Sequence, residues 1–264
     1  MLKYFLPIQY YDLLIQLVKR EILQRFRSSW LGIGWAVLTP LAMLMVYTFV
    51  FRSVLKAKWP GAENSDSEFA LQIFSGLLIF SLFSDVVGRA PNLILEQPNL
   101  VKKVIFPLHI LPWMTVLAAL FNTTISVVVL IVGTWLMRGN INIQLLAIPL
   151  ILVIFIPMLL GLSWLLSALG VYIRDVHNVI GLILTPMLFL SPIFYPASAL
   201  PENAQFLMQI NPLTFIIESL RGAVLGGNWP QLSSLFGYFF VSLIVAFLGG
   251  LFFHKTRKGF ADVL

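Results

Sequence analysis

The chain has 264 residues, of which 59% are hydrophobic and only 11% charged, with a mean hydropathy of +0.93 and a formal net charge of +6. Soluble domains carry roughly 25% charged residues, so a chain that faces water on all sides is excluded; the absence of cysteine also excludes disulfide staples and thiolate metal sites. The positive charge is not gathered into a long basic stripe, which argues against nucleic acid as a partner and for Lys and Arg sorted to one side of a membrane.

The first 30 residues read as an interfacial helix rather than a cleavable signal, because a charged amphipathic stretch comes first and no small-residue cleavage site follows. Over residues 8–28, Ile8, Tyr11, Ile15, Val18, Ile22 and Phe26 fall on one side of a helix, and Asp12, Gln16, Lys19, Arg20 and Arg27 on the other. Together with Arg25, the cations Lys19, Arg20 and Arg27 suit a helix lying in the headgroup plane.

Six long apolar stretches follow, at about 31–52, 70–88, 112–137, 144–170, 178–195 and 231–253. A span needs about 20 apolar residues, and in lipid the backbone must satisfy its own hydrogen bonds, so these are expected to be helices. A barrel would instead show short alternating segments. The fold class expected is therefore an all-α integral membrane protein with six transmembrane helices in one domain, 1–264. Placing both termini inside leaves only Arg52, Lys56, Lys58, Arg138 and Arg221 of the 17 Lys and Arg outside, as the positive-inside rule asks. Trp30, Trp59, Trp113, Trp135 and Trp229 fall near expected span ends, where interfacial tryptophan belongs.

Two stretches do not span. The inner segment 89–111 is punctuated by Pro91, Pro98 and Pro107, and proline breaks a helix interior. Only a short helix fits between Pro98 and Pro107, carrying Lys102 and Lys103 beside apolar residues. The outer segment 196–230 is apolar but broken by Pro196, Pro201, Asn211-Pro212 and Gly226-Gly227. Two short re-entrant helices dipping into the outer leaflet suit it, since non-helical backbone at that depth needs protein or water around it.

Chemistry-bearing groups are sparse. No G-x-x-x-x-G-K-[ST] phosphate loop occurs, so no ATP site of that type is expected, and no cofactor is expected in this chain. His109, His177 and His254 sit near inner span ends without a second ligand at metal spacing. Intramembrane charges are functional suspects. Asp85 and Arg89 are four apart and Glu218 and Arg221 three apart, spacings at which helical side chains pair; Arg174-Asp175 lies in the inner turn after the fourth span. Scattered single groups argue against a membrane-embedded transferase, which needs acid, base and nucleophile to converge at one face.

The stretch KREILQRFRSSWLGIGWAVLTPL (19–41) resembles the entry to the first span of ABC-2 type permeases. PNLVKKVIFPLHILP (98–112) resembles their inner loop. YIRDVHNVIGLILTPMLFLSPIFYP (172–196) and NPLTFIIESLRGAVL (211–225) resemble their fifth span and outer re-entrant part. Within these permeases the resemblance is nearest to the polysaccharide exporters, with O-antigen ahead of capsule and teichoic acid. It implies a homodimer in the bacterial cytoplasmic membrane, paired with two copies of a cytoplasmic ATPase that binds ATP and Mg, passing a lipid-linked glycan outward. It also implies an ATPase-coupling role for Asn99, Leu100, Lys102, Lys103 and Phe106, and an outer gate built from Pro196, Leu200, Pro212, Leu213, Glu218 and Arg221. A weak, exposed Glu218–Arg221 pair is the expected holder of that gate. An exporter of drugs or small lipids on the same scaffold is the alternative.

Overall fold

A computed structural model describes residues 7–27, 29–54, 66–102, 106–139, 141–196, 205–206, 208 and 210–263. Among them there is helix and turn but no strand. A 3-10 turn at Pro7–Tyr10 leads into α1 (Tyr11–Phe26). Then come α2 (Trp35–Thr48), α3 (Asp66–Arg89), the short α4 (Pro98–Lys102), α5 (Leu111–Arg138), α6 (Ile148–Tyr172), α7 (Val176–Leu190), α8 (Thr214–Arg221), α9 (Leu232–Thr256) and a last turn α10 (Phe260–Val263).

Each expected apolar stretch contains a helix, but their lengths differ. Four helical runs are long and apolar enough to cross a membrane: Phe69–Asn92, Leu108–Arg138, Ile143–Tyr172 and Leu232–Val263. Gly32–Thr48 and Val176–Leu190 are apolar but shorter. For α7 the cause is local. Its 15 residues cover about 22 Å at 1.5 Å per residue, and Pro192 forces the preceding Ser191 into extended backbone (φ −91°, ψ 150°). The expected helix to residue 195 therefore stops at Leu190. The first apolar stretch begins with a turn in which Gly32 adopts φ 53°, a left-handed value that favours glycine. It ends in a π-helical turn, Phe49–Val54.

The centre of the molecule is α3, which packs against α2, α5, α7 and α8. Ala70, Leu71, Ile73, Ile79 and Val86 of α3 are fully buried. The tightest helix pair is α6 with α9, where glycine meets glycine. A Cβ built on Gly249 would lie 2.0 Å from the Gly161 carbonyl oxygen, and one on Gly161 would lie 2.5 Å from the Val245 carbonyl. Small residues at a crossing let backbones touch, which is how helices gain dispersion energy where lipid removes the hydrophobic drive between them.

Most hydroxyls are satisfied within their own helix. Thr48, Thr115, Thr123, Thr134, Ser191 and Thr256 each donate to the carbonyl four residues back. This pattern hides polar groups from lipid without a partner helix.

Candidate functional site

The residues singled out in the sequence gather at the two ends of α3. At one end, α1 lies across the bundle and packs on α5. Its buried side carries Leu14, with Leu17 and Val18 half-buried. Ile8, Tyr11 and Ile15, expected on a single membrane-facing stripe with Val18, are exposed. The helix therefore has one face on protein and a separate apolar edge open to the surroundings. Lys19, Arg20 and Arg27 are exposed, as a headgroup-facing set requires.

Arg25 leaves that set. Its Nη1 and Nη2 donate to Asp85 of α3 at 2.7 and 3.1 Å, a bidentate fork on the carboxylate. Arg89 donates to Glu21 of α1. The ring closes weakly, with Arg25 Nε 3.8 Å from Glu21 and Arg89 Nη1 4.0 Å from Asp85. Asp85 and Arg89 thus do face the same way, but each finds its nearer partner on α1. Two acids and two bases alternate, so no charge stands alone.

At the other end of α3, Arg221 of α8 is only 4% exposed. Its Nε and Nη2 both donate to the Gln72 carbonyl at 3.1 Å, and Nη2 also donates to the Ile193 carbonyl at 2.7 Å. Nη1 reaches Glu218 at 3.2 Å. The expected i,i+3 pair exists, but it is the lesser part of the contact. Arg221 is a buried clamp between α3 and the 191–196 turn, rather than half of an exposed pair. Gly76 leaves room for it: a Cβ there would lie 3.1 Å from Arg221 Nη2 and 3.2 Å from the Ile193 Cα. A second arginine holds the same segment, since Arg138 donates to the Leu225 carbonyl and Asn142 to the Val224 carbonyl. Arg138 and Arg221, counted as outer charges, each donate to backbone carbonyls of the protein.

The other expected gate residues divide. Pro196 and Pro212 are half-buried. Leu213 is fully buried in the core instead of lining an opening, and its N–H donates to Asn211 Oδ1 at 2.9 Å. Leu200 lies outside the described residues, as do Lys103 and Trp59. Of the two re-entrant helices expected, α8 forms and runs on through a π turn to Gly226; the other would fall between 197 and 209, mostly outside the described residues.

The inner segment is more firmly seated than proline spacing suggested. Pro91 packs on Gly170 of α6 so closely that a Cβ there would lie 2.0 Å from the Pro91 oxygen. Ala90 and Ile94 are fully buried. Beyond them α4 forms where a short helix was expected, with Asn99 and Lys102 exposed and Leu100 half-buried. Phe106 is half-buried against the core. α4 touches α10, so the chain's last turn buttresses the segment.

Between α2, α3 and α5 lies an open cavity of about 380 Å³, with Arg25, Thr39, Tyr47, Ser81, Asn122 and Trp35 among its lining. Asn122 Oδ1 is buried without a hydrogen-bond partner. Among the described residues no three His, Asp or Glu side chains cluster as metal ligands would.

The pattern of the ABC-2 type transporter family matches residues 12–225. The chain belongs to the ABC-2 type transporter family. An ABC-2 protein with these long apolar helices is a multi-pass membrane transport protein. The chain is similar to the O-antigen export system permease protein RfbA of Myxococcus xanthus, 30% identical with 96% of each chain covered. It is 26% identical to the protein of that name from Klebsiella pneumoniae, over 96% of this chain and 95% of the relative. Similarity extends to the polysialic acid transport protein KpsM of Escherichia coli, 25% identical over 90% and 91%. The matched region of this ABC-2 chain takes in α1, both ends of α3, α4 and the whole of α8. The partners Glu21, Gln72, Gly76 and Gly170 had no signal in the sequence, because a backbone acceptor and a glycine clearance look like any other residue in a line of text.

Proposed function

We propose that the chain is the permease subunit of an ATP-driven exporter that moves a lipid-linked polysaccharide of the O-antigen class outward across the bacterial cytoplasmic membrane. The observation that carries this reading is the end-to-end similarity to O-antigen export permeases, which covers 96% of this chain and 96% of the Myxococcus relative. In this reading α2, lengthened by its π turn, and α7, completed by the 191–196 turn, are the first and fifth of six spans, and both termini are cytoplasmic. Two copies assemble, since a two-fold pair is the commonest closed arrangement. The exposed apolar faces of α2 and α7, including Val37, Met45, Leu182 and Phe189, support a partner there.

A separate cytoplasmic ATPase, two copies per dimer, supplies ATP and Mg chemistry. The short helix α4 and the residues after it to Phe106, with Lys102 and Lys103, dock in its groove, as short amphipathic segments do. The outer segment 196–230 closes the far side. The cavity lined by Asn122, Thr39, Ser81 and Trp35 offers hydroxyl, amide and aromatic contacts of the kind a sugar chain uses.

Removal of the gene from its host and reintroduction of the wild-type chain tests the reading. Surface glycan is expected to disappear with lipid-linked polymer accumulating inside, and to return on complementation. Normal surface glycan in the deletion strain overturns it. A capsule exporter is the second reading, supported by the similarity to the polysialic acid transport protein. The anchor on the accumulated polymer separates the two.

A further inference from the structure

We propose that the groove between α5, α6 and α9 binds one phospholipid with a negatively charged headgroup, its acyl chain in the groove and its phosphate at the C-terminal end of α9. The inference rests on that end of α9 lying at a membrane surface and is independent of what is exported. Where α6 and α9 touch at Gly161 and Gly249, the larger side chains beside the crossing leave a groove of about 580 Å³. Every residue lining it is apolar or aromatic, among them Trp113 of α5, Val153 and Leu160 of α6, and Leu243 and Phe247 of α9. Such a wall presents almost no polar group to a sugar hydroxyl or an ion and suits a hydrocarbon chain. Val153, Leu243 and Phe247 are each about half exposed, so the groove opens sideways, towards the bilayer.

Charge marks one end. Trp164, also in the wall, donates its Nε1–H to the His109 carbonyl at 3.1 Å, and Trp113 lies one helical turn from His109. His109 in turn is within electrostatic reach of His254 and Arg257. The helix that carries the groove's Leu243 and Phe247 leads on into Lys255, Arg257 and Lys258, so the groove runs up to a cationic corner. From Leu232 to Val263 the cations are Lys255, Arg257 and Lys258, with His254 beside them, against the single acid Asp262. Lys258 follows Phe247 by 11 residues: α9 runs on to Thr256 and a 3-10 turn carries Arg257–Gly259, so Lys258 lies roughly 17 Å beyond Phe247 along the axis. That distance is about the depth of one leaflet's hydrocarbon, half of roughly 30 Å. A headgroup phosphate held by Arg257 and Lys258 thus leaves its chain lying along Phe247, Leu243 and Trp113. The same geometry places interfacial tryptophan next to the headgroup, where Trp is enriched.

Native mass spectrometry of the full-length protein, delipidated in mild detergent and re-supplied with equal phosphatidylglycerol and phosphatidylcholine, tests this. One phosphatidylglycerol per chain is expected to be retained over phosphatidylcholine. Each Lys or Arg near a membrane surface favours an anionic lipid enough that R257Q/K258Q should cut the preference by up to about thirtyfold, while phosphatidylcholine binding stays as it was. L243W, at a half-exposed groove position, should reduce retention of both lipids by filling the space. V153W serves the same purpose from the opposite wall if L243W does not fold, as judged by size-exclusion profile. Three results overturn the proposal: no lipid retained by the wild type, equal retention of the two lipids, or a preference that survives R257Q/K258Q. Retention unchanged in the groove-filling variant overturns it as well.

Discussion

The two ends of α3 are held by arginines in opposite ways. At the Asp85–Arg89 end, side chains meet side chains: two acids and two bases, partly exposed, link α1 to α3. At the Gln72–Gly76 end, one buried arginine meets backbone carbonyls of two other elements. A side-chain ring is screened by salt, can be redrawn by exchanging charges, and yields in steps. A guanidinium on buried carbonyls is neither screened nor exchangeable, and its loss strands acceptors that lipid cannot satisfy. The α1 end is thus built to adjust and the α8 end to stay. This differs from the weak, exposed pair expected for an outer gate.

The sharpest way to break this contrast is Arg221→Leu. It removes donors from the Gln72 and Ile193 carbonyls within the core, and a loss of about 3–5 kcal/mol is expected, on the scale of breaking a buried charged contact. Thermal unfolding of the purified protein in detergent should show the drop at low and high salt alike. Arg221→Lys should rescue little, because an ammonium lacks the fork that reaches both carbonyls. Wild-type stability in Arg221→Lys would refute the clamp.

Next in size is Gly170→Ala. The added methyl meets the Pro91 backbone at 2.0 Å, an overlap that only displacement of the inner segment relieves, for about 1–3 kcal/mol. If that segment couples to the ATPase as proposed, export falls by a larger factor than the stability loss alone accounts for. The milder Gly76→Ala, 3.2 Å from the Ile193 Cα, should cost less and act at the outer end alone. An export defect in Gly76→Ala larger than in Gly170→Ala would reverse the ranking.

Asp85→Asn comes third. Arg25 and Arg89 are 21% and 36% exposed at their side chains, so screening reduces the contact to about 1 kcal/mol or less. The deficit should shrink as salt rises, unlike that of Arg221→Leu. A double-mutant cycle on Glu21 and Arg89 should return a coupling of similar size. Salt-independent loss in Asp85→Asn would erase the difference between the two ends.

The smallest effect is on accessibility. Leu213→Cys in this cysteine-free chain should stay unlabelled by a polar thiol reagent in the resting state, because Leu213 is buried. Immediate labelling from outside would show that the segment rests open.

Composition and apolar run length were enough to announce a membrane protein made of helices, because lipid leaves a backbone almost no other way to satisfy its hydrogen bonds. Proline spacing likewise announced the breaks at Pro91 and Pro107 and, among the described residues of the outer segment, at Pro196 and Pro212, and i,i+4 arithmetic placed Asp85 and Arg89 on one face. What only the tertiary structure decided is which partner each charge takes. Arg25 reads as one of four interfacial cations until α3 brings Asp85 to it across 60 residues. Arg221 reads as an outer charge until α8 folds against Gln72, 149 residues away. Gly161 and Gly249 carry no mark within their apolar runs until their backbones meet. Local pattern reports the free energy of a segment against solvent or lipid; a long-range contact depends on two segments at once, and neither one carries its mark alone.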